Sequence, residues 1–158
     1  MAIDKQKVGK SKRVYLDNCV YNRPFDDQSQ RRIFLETMAF ITLLELVEKG
    51  EIETINSDAL VYESKMTFDP DRKARIESYL SFAKHFVMLS QGRILRAKEL
   101  IELNFRAMDA LHIAMSEEGE AEYFITCDDN IIRKGKRWKE KLKTKIIGVL
   151  EFMVREVD

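Results

Sequence analysis

Short β-prone runs alternate with helically spaced apolar stretches along nearly the whole chain, and that alternation leaves few architectures open. Val14-Tyr15-Leu16 is a β-prone run that stops at Asp17. From Ser29 onward Ile33, Phe34, Met38, Ile41, Leu44, Leu46 and Val47 recur near helical spacing until Gly50 ends the pattern. Residues 51–56 alternate as a strand does. Ser57 suits the N-cap of a helix carrying Leu60, Val61, Glu63 and Met66, and Asp69 suits the cap of another with Pro70 at its first position. Residues 85–89 form a short apolar run. Helical spacing returns over 93–103 and 107–118. Residues 123–126 read as a strand ending at Cys127-Asp128, 130–135 as a short helix, and 145–149 as a last strand before an amphipathic turn or helix around Phe152 and Val154. The stretch NCVYNRPFDDQSQ after Asp17 reads as a loop. Such βα units imply an α/β fold: a three-layer α/β/α sandwich around a central parallel sheet of four or five strands, Rossmann-like, with the strand at 13–17 in the middle.

The length of 158 residues suits one domain with a real core, and two prolines and six glycines mark no linker or repeat. We read residues 1–12 as a disordered basic tail and 13–158 as a single domain. That tail has no apolar segment of the kind a signal peptide needs, and no apolar run approaches the ~20 residues of a membrane span, so a cytoplasmic protein is expected. Lys plus Arg and Asp plus Glu balance at 27 each, so net charge points to no partner. Cys19 and Cys127 lie far apart, without a Cys/His ligand cluster, and read as small buried residues.

Acids in defined places carry the functional signal. Groups acting on a ligand collect beyond the carboxyl ends of parallel strands, and both Asp17 and Asp128 stand there. Each has a structural alternative, as a turn or capping residue. Asp109 lies in RAMDALHIAMSEEG among small and apolar groups, where an ionised carboxylate costs free energy unless something pairs with it; the alternative is an acid favoured by its helix N-terminus. Glu63 is singly the weakest signal, since a helical glutamate is commonly solvated or paired.

Taken together, VYLDNC, a helical acid after the second strand, MDALHIA and YFITCDDN resemble the PIN domain family over essentially the whole chain, DALHIA followed by FITCDD being the most specific part. The stretch LDNCVYNRPFDDQ is similar to a PIN subgroup with Arg-Pro-Phe-Asp-Asp in that loop. Asn18 departs from the Thr or Ser common after the first Asp. The resemblance implies a metal-dependent ribonuclease. Asp17, Glu63, Asp109 and Asp128 would be catalytic. Asp17, Asp109 and Asp128 would bind Mg²⁺ or Mn²⁺, with Asn18, Thr126 and His112 supporting them. Carboxylates suit such hard cations. Without one, two carboxylates ~4 Å apart repel by about 4 kcal/mol at an effective dielectric near 20.

RKGKRWKEKLKTK, from Arg133 to Lys145, is a candidate RNA tract through Arg133, Lys134, Lys136, Arg137 and Trp138. The alternative is a solvated surface with Trp138 packed on the core. Arg23, Arg31 and Arg32 are a second candidate. Similarity to VapC-like toxins of toxin–antitoxin pairs implies an RNA substrate, an antitoxin partner and a homodimer. Competing readings are a catalytically silent PIN-like RNA- or protein-binding module, a metal-dependent phosphatase, and a flavodoxin-like binding protein. The lack of a DxD motif after the first strand opposes the phosphatase, and the apolar setting of Asp109 finds no reason in the last.

Overall fold

The computed structural model describes residues 11–157. Over them run β1 (Lys12–Leu16), α1 (Asn18–Asn22), α2 (Arg31–Glu48), β2 (Ile52–Ser57), α3 (Asp58–Lys65), α4 (Pro70–Leu80), β3 (His85–Val87), α5 (Gln91–Glu102), α6 (Ala107–Glu118), β4 (Tyr123–Thr126), α7 (Asp129–Arg137), β5 (Lys145–Gly148) and α8 (Val149–Arg155). The five strands form one parallel sheet in the order β3-β2-β1-β4-β5. β1 is central, as its sequence predicts. Val14, Tyr15 and Leu16 are fully buried and β4 is buried throughout, the mark of a sheet covered on both faces.

The connections explain the layers. β1 to β2 to β3 steps one way across the sheet, and the chain then returns over both to place β4 on the far side of β1. With right-handed crossovers, the helices of the return lie on the opposite face from those of the outward steps. α5 packs on α6, α2 packs against β2 and α8, and α7 lies along β5.

Three local readings change. β1 starts at Lys12, so the last residue expected in the tail is strand; residues 1–10 lie outside the described residues. The expected loop after Asp17 contains α1 and a 3-10 turn at Arg23–Phe25. The Asp17 carboxylate caps α1 by accepting the Asn18 N–H, and Val20 and Tyr21 anchor it in the core. Five residues are too few to show a period. In α2 the inward positions are Glu36, Thr37, Ala39, Phe40, Leu43 and Val47, while Phe34, Met38 and Ile41 are 41–48% exposed. Glu36 is tolerated inside because Arg23 and Arg32 reach it at 3.4 and 3.5 Å.

α7 meets the sheet at Gly135, where an added Cβ would stand 2.6 Å from Cβ of Ile146. Because a Cβ cannot swing away, helix or strand must shift. Gly135→Ala should destabilise the chain by about 1–3 kcal/mol, and because alanine at 146 keeps the opposing Cβ, Ile146→Ala in the same chain should not restore it; urea unfolding of the single and double variants checks this.

Candidate active site

The strand order reverses between β1 and β4, with β2 and β3 on one side and β5 on the other. Open parallel sheets form a crevice at such a point, beyond the carboxyl ends of the strands. Asp17 and Asp128 follow β1 and β4 directly. The Asp17 N–H donates to the Ile125 carbonyl at 2.9 Å, which carries the ladder one residue past the strand.

One hydroxyl ties the two acids together. The buried Thr126 side chain donates to Asp17 Oδ2 at 2.8 Å and accepts the Asp128 N–H at 3.1 Å. Asp17 is 5% exposed, and its other oxygen accepts from Asn18 N at 2.8 Å. Asp128 caps α7 through Oδ1, which takes the N–H groups of Asn130 and Ile131 at 2.8 and 3.4 Å. The capping alternative for Asp128 is therefore met, and Oδ2 is outside that cap.

Asp109 enters from the first turn of α6. Burial, then the charges of Asp17 and Asp128, push its pKa up to about 6, against smaller opposing effects of His112 and Arg106. Asp17 and Asp128 are thus near enough to Asp109 for their charges to act on it. Glu63 is turned toward other partners: Asn18 Nδ2 donates to Oε2 at 2.6 Å, and His112 Nε2 meets Oε1.

Behind Glu63 runs a buried polar chain. Ser57 Oγ accepts the Leu60 N–H as the α3 cap and shares a hydrogen bond with Tyr15 Oη, 2.7 Å away. The Tyr15 hydroxyl in turn lies 2.6 Å from His112 Nδ1, so the imidazole joins it to Glu63 through its two nitrogens. Burial holds the Tyr15 hydroxyl well above the usual tyrosine pKa, so its proton stays. His112 was expected to support the acids; its role in connecting Glu63 to Tyr15 was not, because those contacts span 49 and 97 residues.

Among the described residues no three His, Cys, Asp or Glu side chains form a ready-made ion site. The donor set still fits Mg²⁺ or Mn²⁺: it is all oxygen, and Mg²⁺ commonly keeps several waters and uses one or two carboxylates. The raised Asp109 carboxyl is the group a cation would relieve.

The basic candidates divide. Arg133 donates to Asn130 Oδ1, and Lys134 to the Asn104 carbonyl. Lys136 and Arg137 are exposed. Trp138 is half-buried against the core, with Arg137 and Lys141 at 5.0 and 5.2 Å from its ring, which fits the packing alternative. Arg23 and Arg32 are paired with acids, Arg32 in a two-pronged contact with Asp129 at 2.7 Å each. A concavity of about 1160 Å³ lined by Lys12, Arg13, Glu117 and Glu122 lies at the amino ends of β1 and β4, remote from the acids.

No family model matches the chain, and no curated protein matches it by sequence. Among solved structures it is similar to a chain in the crystal structure of VapBC2 from Rickettsia felis bound to a DNA fragment from their promoter. The TM-score is 0.55 and the identity 15%, over 86% of this chain and 98% of that one. At that identity the match shows the fold, an α/β sandwich around a parallel sheet.

Two outcomes follow from this geometry. Tyr15→Phe strands His112 Nδ1 and should cost about 1–3 kcal/mol of stability; nitrogen NMR of the imidazole should show a single form in the original chain and lose that uniformity in the variant. Asp109 has a folded pKa above its ordinary 3.8, so its ionisation opposes folding. That cost is absent below about pH 4 and complete above about pH 6. Without divalent ions, Asp109→Asn should be more stable near pH 7 by about 1 kcal/mol, a figure discounted because the group is partly solvated. Melting curves should show the gap closing toward pH 4.

Proposed function

We propose that this chain is a PIN-like, metal-dependent endoribonuclease that hydrolyses single-stranded RNA phosphodiesters, and that it acts as the toxin of a toxin–antitoxin pair. The observation that carries the reading is Asp109. Its carboxyl is driven up to about 6 by burial and by Asp17 and Asp128, a charge arrangement that calls for a cation at the switch point of a parallel sheet. The fold shared with a VapBC2 structure supports the same reading.

Asp17, Asp109 and Asp128 would hold Mg²⁺ or Mn²⁺, which when bound supplies Lewis acidity at the phosphate and a more acidic water. The protein's own groups do the rest. Thr126 fixes the Asp17 carboxylate and the Asp128 backbone against each other. Asn18 and His112 each occupy one oxygen of Glu63 and leave it lone pairs to orient a water and take its proton. Arg133, Lys134, Lys136 and Arg137 on α7 would attract the strand's phosphates. Phe34, Leu35, Met38 and Ile41 leave an apolar stripe on α2, the surface we assign to a second copy or to an antitoxin. No helix among the described residues is long and apolar enough to cross a membrane.

Cleavage of a labelled single-stranded RNA should require Mg²⁺ or Mn²⁺ and stop with chelator. Asp109→Asn should lower it by about a hundredfold or more while the fold persists. Mn²⁺ at about 100 times its dissociation constant should stabilise the original chain by about 2.7 kcal/mol and the variant far less. RNA bound but uncut under every divalent ion would instead make the chain a catalytically silent binding module.

A further inference from the structure

The chain from the end of α7 through the 3-10 turn Lys139–Lys141 to the start of β5 encloses a concavity of about 430 Å³. Lys136, Lys139, Lys143 and Lys145 stand in its wall, all exposed, with Glu140 as the one acid. Among the described residues none of these four ammonium groups lies within ion-pair distance of a carboxylate, whereas Arg23, Arg32, Arg93 and Arg96 all do. Thr144 lines the same wall. It is 3% exposed, and its hydroxyl is buried without a hydrogen-bond partner. A buried hydroxyl in that state destabilises a fold, so it invites an acceptor from outside.

Lysines near a helix C-terminus can simply offset the helix dipole. That accounts for Lys136 but not for Lys139, Lys143 or Lys145, which lie beyond α7. β5 begins beside Tyr123, so the concavity sits at the amino edge of the sheet. α7 connects it to Asp128, and its nine residues span ~13 Å. Arg133, Lys134, Lys136 and Arg137 lie between. A track of cations that long suits a strand of phosphates better than one isolated anion.

We infer that this concavity seats a backbone phosphate of single-stranded RNA, held by Lys139, Lys143 and Lys145 and by the Thr144 hydroxyl, at the far end of α7 from the acid cleft. The inference rests on the RNA reading above and adds a second anchor to it. In EDTA, where no strand is cut, the full chain should bind a fluorescein-labelled oligouridylate. Replacing Lys139, Lys143 and Lys145 together by Ala should weaken binding about tenfold and flatten the log–log salt dependence by about 0.7, the contribution of one phosphate contact to a single strand. Thr144→Val separates a ligand role from a packing role: it should weaken RNA binding about threefold yet raise the melting temperature by about 2–4 °C. A packing hydroxyl would lower the melting temperature and leave RNA affinity alone. Unchanged affinity and salt slope in the triple variant would overturn the inference. So would inorganic phosphate that shifts the Thr144 and Lys145 amide resonances while RNA binding ignores all these residues. Lysine-dependent RNA binding by a chain that cuts no RNA with Mg²⁺ or Mn²⁺ would sink the nuclease reading and leave this site standing.

Discussion

The pairing of β1 with β4 is the constraint on which the acid cleft depends. These strands are adjacent in space although more than a hundred residues apart in the chain, and the ladder continues one residue past β1: the Asp17 N–H takes the Ile125 carbonyl, and the Thr126 hydroxyl reaches Asp17. A slip of one residue in this register would turn Thr126 to the other face of the sheet and part the two aspartates. Apolar burial prevents the slip. Tyr15 and Phe124 lie side by side in the register with their rings stacked at 5.6 Å, and every residue from Val14 to Leu16 is fully buried. The hydrophobic core therefore sets the geometry of the carboxylates, which on their own would fly apart.

The same tyrosine carries the second constraint. Its ring belongs to the core, while its hydroxyl sits between Ser57 and His112. Each member of the chain from Leu60 N–H to Glu63 has a partner for its proton or lone pair, so the buried polar groups incur little of the penalty that unmade hydrogen bonds carry. The chain also crosses elements: Ser57 caps α3, Tyr15 stands on β1 and His112 on α6, and the chain returns to Glu63 on α3. A helix cap on one element is thus tied through the core to a histidine on another.

How much of this was legible in the sequence follows from the range of each interaction. Strands and long helices declare themselves through local periodicity, and Ser57 and Asp69 are caps whose chemistry lies within three residues. Asp17 and Asp128 were visible because a polar residue ending an apolar strand is a local event, and Asp109 because an acid amid MDALHIA is one too. Asn18 and Thr126 came from family resemblance. By contrast α1 was missed: its five residues owe their helix to the Asp17 cap and to burial of Val20 and Tyr21, which no window of sequence reveals. The outward set of Phe34, Met38 and Ile41 keeps helical period as well as the inward set does, so period alone could not say which side of α2 faced the core. The burial of Glu36 depends on Arg23 and Arg32, a tertiary arrangement.

The balanced charge of the chain conceals a division of labour between its two cations. The arginines around the acid cleft are spent on carboxylates: Arg23 on Asp26 and Glu36, Arg32 on Asp129 and Glu36, Arg72 on Asp26. A planar fork that binds a carboxylate by two bonds suits a fixed scaffold. These contacts brace α1, α2 and the start of α7 around the cleft, and they keep free positive charge from collapsing onto Asp17, Asp109 and Asp128. The ammonium groups of Lys136, Lys139, Lys143 and Lys145 point into water at the other end of α7. Their field is screened beyond roughly 8 Å at physiological salt, so across the length of α7 they leave the Asp109 carboxyl as its near neighbours set it. The chain can therefore carry an acidic cleft and a basic track on one helix without either neutralising the other. The helix supplies the separation, Gly135 permits it to lie close on β5, and Asp128 holds its first turn at the site.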